Sequence, residues 1–366
     1  MSTAPVVVVG SGPAGAAAAR ECLRLGCGPV IVLERNSRPW RKPCGGGLSP
    51  GAIKQLRRLG MWPAVQPHCY PIRSLRLVTP GGQQYLLGDR ETAAVIDRLR
   101  LDELLRRQLR RAGAQLREGI RVRSIEPLPA GPAALRLDCG EFSITAARVI
   151  LACGSRSPLV HRPTRGRLLH GCSQLFAGVE HRPHTVEMIY WKDIVPHYGW
   201  LFPLGRGQVD IGICLAAQRP NRSSPRRLLE QFLERYYAER LKNARPLGPV
   251  GFHPIAWNGP AAGLAAGVLP VGEAAGLSNP ATGEGMLHAL WSGRLAARLV
   301  AWSLRTATGP QLCSRLYRTL QAAWFEPRRH LAGAYLAALV PRLERTAAWL
   351  HRRGLTNLVG QSLAHL

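Results

Sequence analysis

Val6-Val7-Val8-Val9 runs directly into Gly10-Ser11-Gly12-Pro13-Ala14-Gly15 and then Ala16-Ala17-Ala18-Ala19-Arg20. A β-branched run, a glycine turn and an alanine-rich stretch spell strand, tight turn and helix, and few folds accept that order. Gly10 permits the turn, Gly12 lets a pyrophosphate reach the helix N-terminus past Pro13 and Ala14, and Gly15 lets helix and strand pack closely. A second apolar run, Val30-Ile31-Val32-Leu33, ends in Glu34, nineteen residues beyond Gly15, with Arg35 next. An acid at that point is placed to accept hydrogen bonds from a ribose. Strand, helix, second strand and acid agree on an α/β dinucleotide-binding unit, without distinguishing FAD from NAD.

Arg41-Lys42-Pro43-Cys44-Gly45-Gly46-Gly47-Leu48-Ser49 follows. Three glycines in a row let backbone approach a flat ligand, because no Cβ stands in the way. Pro43 fixes the entry of Cys44 into that run, beside Lys42, so the thiol is placed to face a cofactor ring. Taken alone, the segment reads first as a flexible loop with an incidental cysteine; the motifs on either side favour the cofactor reading.

A chain of 366 residues, 46% hydrophobic with 39 glycines, has the composition of a globular α/β protein of one or two joined domains. The first strand begins at Val6, which leaves no room for a secretory leader, and no run of about eighteen apolar residues suits a membrane span. Nine cysteines without paired C-x-x-C spacing argue against a disulfide framework and a zinc site, and the expected compartment is the cytoplasm. The net charge of +27 is spread along the chain and aromatics make up 6%, so no nucleic-acid module is discernible. An anionic membrane surface is the better-motivated partner, at roughly 1 kcal/mol per nearby basic side chain. A solvated basic surface is the competing reading.

Further along, Pro50 to Leu59 reads as a short helix, Leu75 to Leu87 as a hairpin turned at Pro80-Gly81-Gly82, and Leu99 to Ala112 as a helix stopped by Gly113. Strand-like segments near 120–126, 134–138 and 142–145 precede Arg148 to Ala152, a strand entering the turn Cys153-Gly154-Ser155-Arg156-Ser157. Residues 172–257 are mostly strand-like with one helix near 225–240. Cofactor-type sequence returns at Gly267 to Gly276, and Thr282-Gly283-Glu284-Gly285 opens a long helix. The last sixty residues read as helical, kinked near Pro341. The expected organisation is therefore interleaved: residues 1–70, 92–165 and 258–305 form a cofactor domain, 71–91 with 166–257 a substrate domain, and 306–366 a helical region.

Four motifs in order carry a resemblance: the first glycine loop, Lys42 to Gly47, Tyr198-Gly199-Trp200-Leu201-Phe202-Pro203, and Gly272-Glu273 with Asn279-Pro280-Ala281-Thr282-Gly283-Glu284-Gly285. Over residues 5 to about 300 the chain resembles the FAD-dependent geranylgeranyl reductase family, within the p-hydroxybenzoate-hydroxylase-like flavoproteins. That resemblance implies a Rossmann-like FAD-binding domain with an inserted, mostly antiparallel β-sheet substrate domain and a helical C-terminus. It implies FAD as cofactor, with NAD(P)H or a reduced carrier protein as external reductant. Glu34, with Arg35, would hold the adenosine ribose; Arg98, paired with Asp102, would sit beside the pyrophosphate; Glu273, after Gly272, would accept from the ribityl hydroxyls. The helix opening near Gly283, Gly285 and Met286 would aim its N-terminus at the flavin, where Thr282 is also a candidate cap. Cys44, Gly45 and Gly46 would lie against the ring, with Cys44 the candidate catalytic group. Tyr198, Trp200 and Phe202 would wall a pocket for an apolar substrate. For Arg98 a surface salt bridge, and for the three aromatics an ordinary β-core, are the alternatives. Three departures stand out: Cys153 and Glu273 occupy positions where the wider group has aspartate, and Gly212-Ile213-Cys214 replaces a Gly-x-Gly ending.

The leading functional reading is reduction of isoprenoid carbon–carbon double bonds by hydride from reduced flavin. A monooxygenase, oxidase or halogenase of secondary metabolism is the second; Trp191-Lys192-Asp193-Ile194-Val195-Pro196 approaches the halogenase W-x-W-x-I-P segment but lacks its second tryptophan. A peripheral electron-transfer flavoprotein at the inner face of a membrane is the third. Leu331, Tyr335, Leu336, Leu339, Val340 and Leu343 fall at helical intervals beside Arg342, Arg345, Arg352 and Arg353, which suits either anionic lipid or packing on the protein itself. His181 and His184 read as loop residues rather than metal ligands.

Overall fold

A computed structural model describes residues 4–38, 40–128, 135–160, 168–217, 223–257, 259 and 263–353. The valine run forms β1 (Val6–Val9) at the centre of a parallel sheet with β2 (Val30–Glu34), β8 (Gln115–Glu118), β12 (Arg148–Leu151) and β19 (Val268–Pro270), in the order β19-β12-β1-β2-β8. The sheet is covered on both sides, so β1, β2 and β12 carry apolar residues on both faces. Val6, Val8, Val30 and Val32 face helices, while Val7, Val9, Ile31 and Leu33 face the antiparallel ribbon β9 (Ser124–Pro127), β10 (Leu135–Asp138) and β11 (Ser143–Ala146). The strand β8 carries no sequence signal. Three of its four residues are polar, and it exists because the edge of β2 offers it a hydrogen-bonding ladder.

Helix α1 (Pro13–Arg24) lies between that sheet and α6 (Met286–Arg305), and its alanines 16–19 are fully buried. The contact is close enough that a Cβ on Gly293 would fall 2.3 Å from the Ala14 carbonyl oxygen. Ser49 caps α2 (Pro50–Arg58) by accepting from the Ala52 N–H at 3.2 Å, and a short α3 (Trp62–Val65) follows. Asp97 caps α4 (Arg98–Arg111), accepting from Leu99 and Arg100, and Gly113 turns the chain out of it at φ +91°.

The predicted hairpin is β5 (Ser74–Val78) and β6 (Gln84–Leu87). It joins β13 (Leu168–Ala177), β14 (Thr185–Ile189), β15 (Gly199–Gly205), β16 (Gln208–Ala216), β17 (Arg245–Pro246) and β18 (Gly251–Ala256) in an eight-stranded sheet, antiparallel apart from the β5–β14 pair. The predicted helix near 225–240 is α5 (Pro225–Leu241), whose Leu228, Leu229 and Phe232 cover the outer face. A small sheet of β3 (Gly47–Leu48), β7 (Ala93–Val95) and β4 (Tyr70–Ile72) lies against β15 of the eight-stranded sheet.

After α7 (Pro310–Ala334) the chain loosens into a wide π-type turn, Tyr335–Leu339, then a tight turn at Val340–Arg342 before α8 (Leu343–Arg352). The break falls at the expected Pro341. Tyr335, Leu336, Val340 and Leu343 pack on Leu77, Leu87, Tyr190, Tyr198 and Trp200, so this face of the amphipathic stretch is spent on the protein's own sheet. Among the described residues no helix is long and apolar enough to cross a membrane.

Candidate active site

The parallel sheet, the Cys44 loop and the inner face of the eight-stranded sheet enclose a cavity of about 490 Å³. Gly10, Gly12, Pro13 and Ala14 form one end of it. Gly10 sits at φ +105°, where a Cβ would strike the Ala152 carbonyl oxygen at 2.4 Å. Gly12, by contrast, has no atom of the described residues beyond its own chain neighbours within 4 Å of its Cβ position and precedes α1 with no side-chain cap, so the first N–H groups of the helix open into the cavity. Gly15 and Gly272 lie behind the wall. A Cβ on Gly15 would stand 1.9 Å from the Gly10 oxygen, and one on Gly272, at φ +57°, 3.0 Å from the Ala14 Cβ. Both glycines act through packing.

Glu34 and Arg35 line the same end. The Glu34 carboxylate accepts from Ser11 N–H (3.0 Å), Ser11 Oγ (2.8 Å) and Asn36 N–H (3.1 Å), while Arg106 Nε donates to Ser11 Oγ at 2.8 Å. Arg98 is only 5% exposed and grips both oxygens of Asp102 at 3.2 Å, which rules out the surface-pair reading. Its buried Nε has no hydrogen-bond partner among the described residues. Burial opposes its charge, but Asp102 and the Cys44 sulfur outweigh that and hold it firmly protonated. An open helix N-terminus, a fixed carboxylate and an orphaned guanidinium nitrogen on one wall suit a dinucleotide.

Cys44 is half-buried on the cavity wall, and its sulfur accepts from the Gly46 N–H at 3.5 Å. The glycines after it are required by the protein itself. A Cβ on Gly45 would lie 2.6 Å from the Phe202 ring and 3.0 Å from Trp200 Nε1, and one on Gly46, at φ +78°, 2.1 Å from the Ile96 oxygen. The loop is thus pressed against the aromatic wall. Tyr198, Trp200 and Phe202 all line the cavity, with Met188, Cys214 and Ile255 alongside. Tyr198 donates its hydroxyl to the Thr282 carbonyl at 2.5 Å, and burial pushes its pKa up. Cys214, at the third departure, adds a thiol to the wall beside Gly283; burial pushes it up to about 12.

Gly283, Gly285 and Met286 complete that side. Helix α6 starts at Met286 with Gly285 as an uncapped N-cap. Thr282 does not cap it: its hydroxyl accepts from the Glu284 N–H, one turn too early. Glu284 accepts from Ser49 Oγ, and burial pushes its carboxyl up.

The second departure, Glu273, is the centre of a buried charge network. Its Oε1 lies 2.7 Å from Lys42 Nζ and its Oε2 2.9 Å from His253 Nε2. Burial alone would raise its pKa, but Lys42 and then His253 hold it well below the carboxylate range. Burial, chiefly, depresses His253. Ser155 Oγ, 3.3 Å from His253 Nε2, extends the network to the turn after β12. Sequence reasoning overlooked His253 and Ser155, which lie in unremarkable strand and turn sequence. None of residues 191–196 lines the cavity; Trp191 packs on Phe232 at the opposite face. His181 and His184 are loop residues, their Nδ1 atoms 2.9 Å from the Val179 and Pro71 carbonyls.

The FAD binding domain family model matches residues 3–180. Menaquinone reductase of Mycobacterium tuberculosis (strain CDC 1551 / Oshkosh) is 30% identical over 320 residues, covering 81% of this chain and 76% of that protein. Its counterpart from Mycolicibacterium smegmatis is 32% identical over 329 residues, with coverage of 81% and 76%. Digeranylgeranylglycerophospholipid reductase of Methanosarcina acetivorans is 24% identical over 341 residues, covering 89% and 81%. Among solved structures, a geranylgeranyl bacteriochlorophyll reductase-like protein from Thermoplasma acidophilum superposes with a TM-score of 0.80 at 22% identity, covering 93% of this chain and 88% of that one. A flavin-dependent brominase reaches 0.77 at 16% identity, covering 98% and 93%, a likeness of fold alone.

Proposed function

The chain belongs to the geranylgeranyl-reductase-type FAD-dependent oxidoreductases, and from that premise we propose that it saturates carbon–carbon double bonds of a prenyl chain carried by a quinone or a lipid. One observation carries the reading: the Cys44–Gly46 loop and the Tyr198–Trp200–Phe202 wall meet in the cavity that begins at the dinucleotide fingerprint. The names of the relatives support an isoprenoid substrate.

FAD, when bound and reduced, supplies the hydride. The α1 N-terminus and Arg98 would hold the pyrophosphate, Glu34 and Arg35 the ribose, and Glu273 the ribityl hydroxyls. Cys44, Gly45, Gly283, Gly285 and Met286 would enclose the ring end. Tyr198, Trp200 and Phe202 orient a flat apolar chain and keep water from it. Cys44, or a water it orders, holds the proton delivered to the second alkene carbon. NAD(P)H or a reduced carrier protein returns the electrons. Residues 71–91 with 166–257 supply the substrate half, the rest of residues 1–305 the cofactor half.

Contact with an anionic membrane at the cytoplasmic face is part of this proposal. With the inward face of 335–343 occupied, the outward face carries Leu331 (61% exposed), Trp349 (46%) and the exposed Arg342, Arg345, Arg352 and Arg353. Paired Leu331→Gln and Trp349→Gln substitutions should reduce sedimentation with anionic liposomes; unchanged sedimentation removes the membrane contact. For the function itself, extraction of purified protein followed by mass analysis should yield FAD and a prenylated lipid or quinone. Flavin accompanied only by small aromatic metabolites would overturn the substrate class.

A further inference from the structure

Arg41 and Asp210 lie outside the cavity wall, yet they tie three of its parts together. Arg41 Nε donates to Asp97 Oδ2 at 2.8 Å and its Nη2 to Asp210 Oδ2 at 2.7 Å. Asp97 is the cap of α4, the residue before Arg98. Asp210, on β16, has no solvent exposure; its Oδ1 accepts from Trp200 Nε1 at 2.9 Å and its Oδ2 from Ser173 Oγ at 3.3 Å. A carboxylate buried to this degree is tolerated only with a partnered cation and filled acceptor sites. Here Arg41 supplies the charge, and Trp200 and Ser173 fill the remaining sites.

The Trp200 ring has little room besides. Its Cζ2 lies 2.4 Å from where a Cβ on Gly212 would stand, and its Nε1 3.0 Å from the Cβ position of Gly45. Two glycines therefore clear a slot for the indole, and the hydrogen bond to Asp210 fixes how far the indole enters it. The guanidinium that neutralises Asp210 belongs to the segment that leads, three residues later, to Cys44. Movement of Asp210 is thus transmitted both to the aromatic wall and to the thiol loop.

We propose that Asp210 is a positioning residue that sets substrate selectivity: through Trp200 it fixes the width of the apolar pocket, and through Arg41 it locks the Cys44 loop to that wall. The selectivity part rests on the prenyl-reductase reading; the positional part does not, and the test separates them. Asp210→Asn keeps size and an acceptor for Trp200 but removes the charge that holds Arg41. Arg41→Gln reaches the same link from its half-exposed end, for use where Asp210→Asn does not fold. Arg41→Lys is the intermediate control: it keeps the positive charge beside Asp210 but lacks the planar fork that spans both carboxylates.

The first readout is the Trp200 indole N–H resonance, assigned by its disappearance in Trp200→Phe and measured without substrate. It should move in both Asp210→Asn and Arg41→Gln, with Arg41→Lys closer to wild type. The second is the ratio of kcat/KM for twenty-carbon over ten-carbon prenyl substrates, which should fall roughly tenfold, in the range one altered apolar contact commands. The change should lie mainly in KM, with FAD content unchanged. An indole resonance that stays put in both variants overturns the positional link. A shifted resonance with wild-type selectivity overturns the specificity role. Failure of the wild-type enzyme to reduce any prenyl substrate overturns the selectivity clause together with the function proposed above, and leaves the resonance to decide the rest.

Discussion

Replacing Lys42 with methionine removes the cation from Glu273 while keeping most of the side-chain volume. The two side chains are 19% and 15% exposed, so the pair is largely withdrawn from water. Breaking a fully buried pair by deleting one partner costs about 3–5 kcal/mol, and this degree of exposure favours the lower end, about 3 kcal/mol. At about 2.1 cal/mol/K per residue, 366 residues give an unfolding entropy near 0.8 kcal/mol/K, so Tm should drop by about 4 °C. The pH dependence has a definite sign. The folded-state pKa of Glu273 lies below its ordinary 4.5, so its contribution is present above that value and is lost as pH falls through the folded value. Without Lys42 burial dominates and raises the folded-state pKa, so the variant's ionised carboxyl is a penalty at neutral pH that is relieved as pH falls and the group takes up a proton. The gap in Tm between wild type and Lys42→Met should therefore be widest at neutral pH and narrow steadily through the acid range, with Lys42→Arg close to wild type. Calorimetric melts from pH 4 to pH 8 measure this. A gap under about 1 °C, or one independent of pH, would show that Lys42 does not neutralise Glu273.

Three further perturbations address the fold and the site. Burial lowers His197 and His288 to about 4 from 6.5, so each contributes stability that is complete above 6.5 and declines by about 3 kcal/mol as pH falls to 4. Urea midpoints across that window should show the decline, and His288→Leu should flatten it; an unchanged slope would show that His288 is protonated in the folded state. Gly293→Ala puts a Cβ 2.3 Å from the Ala14 oxygen, which should cost about 1–3 kcal/mol and lower the flavin-to-protein absorbance ratio by shifting the start of α1. Wild-type melting and flavin content together would refute that tight crossing. Cys44→Ser and Cys44→Ala should keep flavin content, and the alanine variant should turn over about a hundredfold more slowly if the thiol holds the transferred proton. Equal rates for Cys44→Ala and wild type would reduce Cys44 to packing.

The end of the cavity beside the glycine turn is readable along the chain because its structure is local. Val6 to Gly15, Glu34 and the Arg98–Asp102 pair lie within single strands, turns and helices, whose spacing alone presents them. The hairpin at Pro80 and the break near Pro341 are legible for the same reason, as backbone preferences of glycine and proline. What joins distant segments is not. The Glu273 network draws on residues 42, 155 and 253, and the Arg41 link on residues 97 and 210. Periodicity cannot choose between the two faces of 331–353 either; the open face of the eight-stranded sheet decides it by taking Tyr335, Val340 and Leu343. The glycines after Cys44 are legible as a place of close approach, but their partner on one side is Phe202, which only the fold brings there.

The central claim is tested most directly under anaerobic conditions, by reducing the purified flavoprotein with dithionite, removing the excess, and adding a prenylated quinone or a geranylgeranyl lipid. Flavin absorbance should return, with one substrate double bond saturated per flavin reoxidised and a product heavier by two hydrogens. Flavin that stays reduced with every prenyl substrate, and reoxidises only when oxygen is admitted, would contradict it.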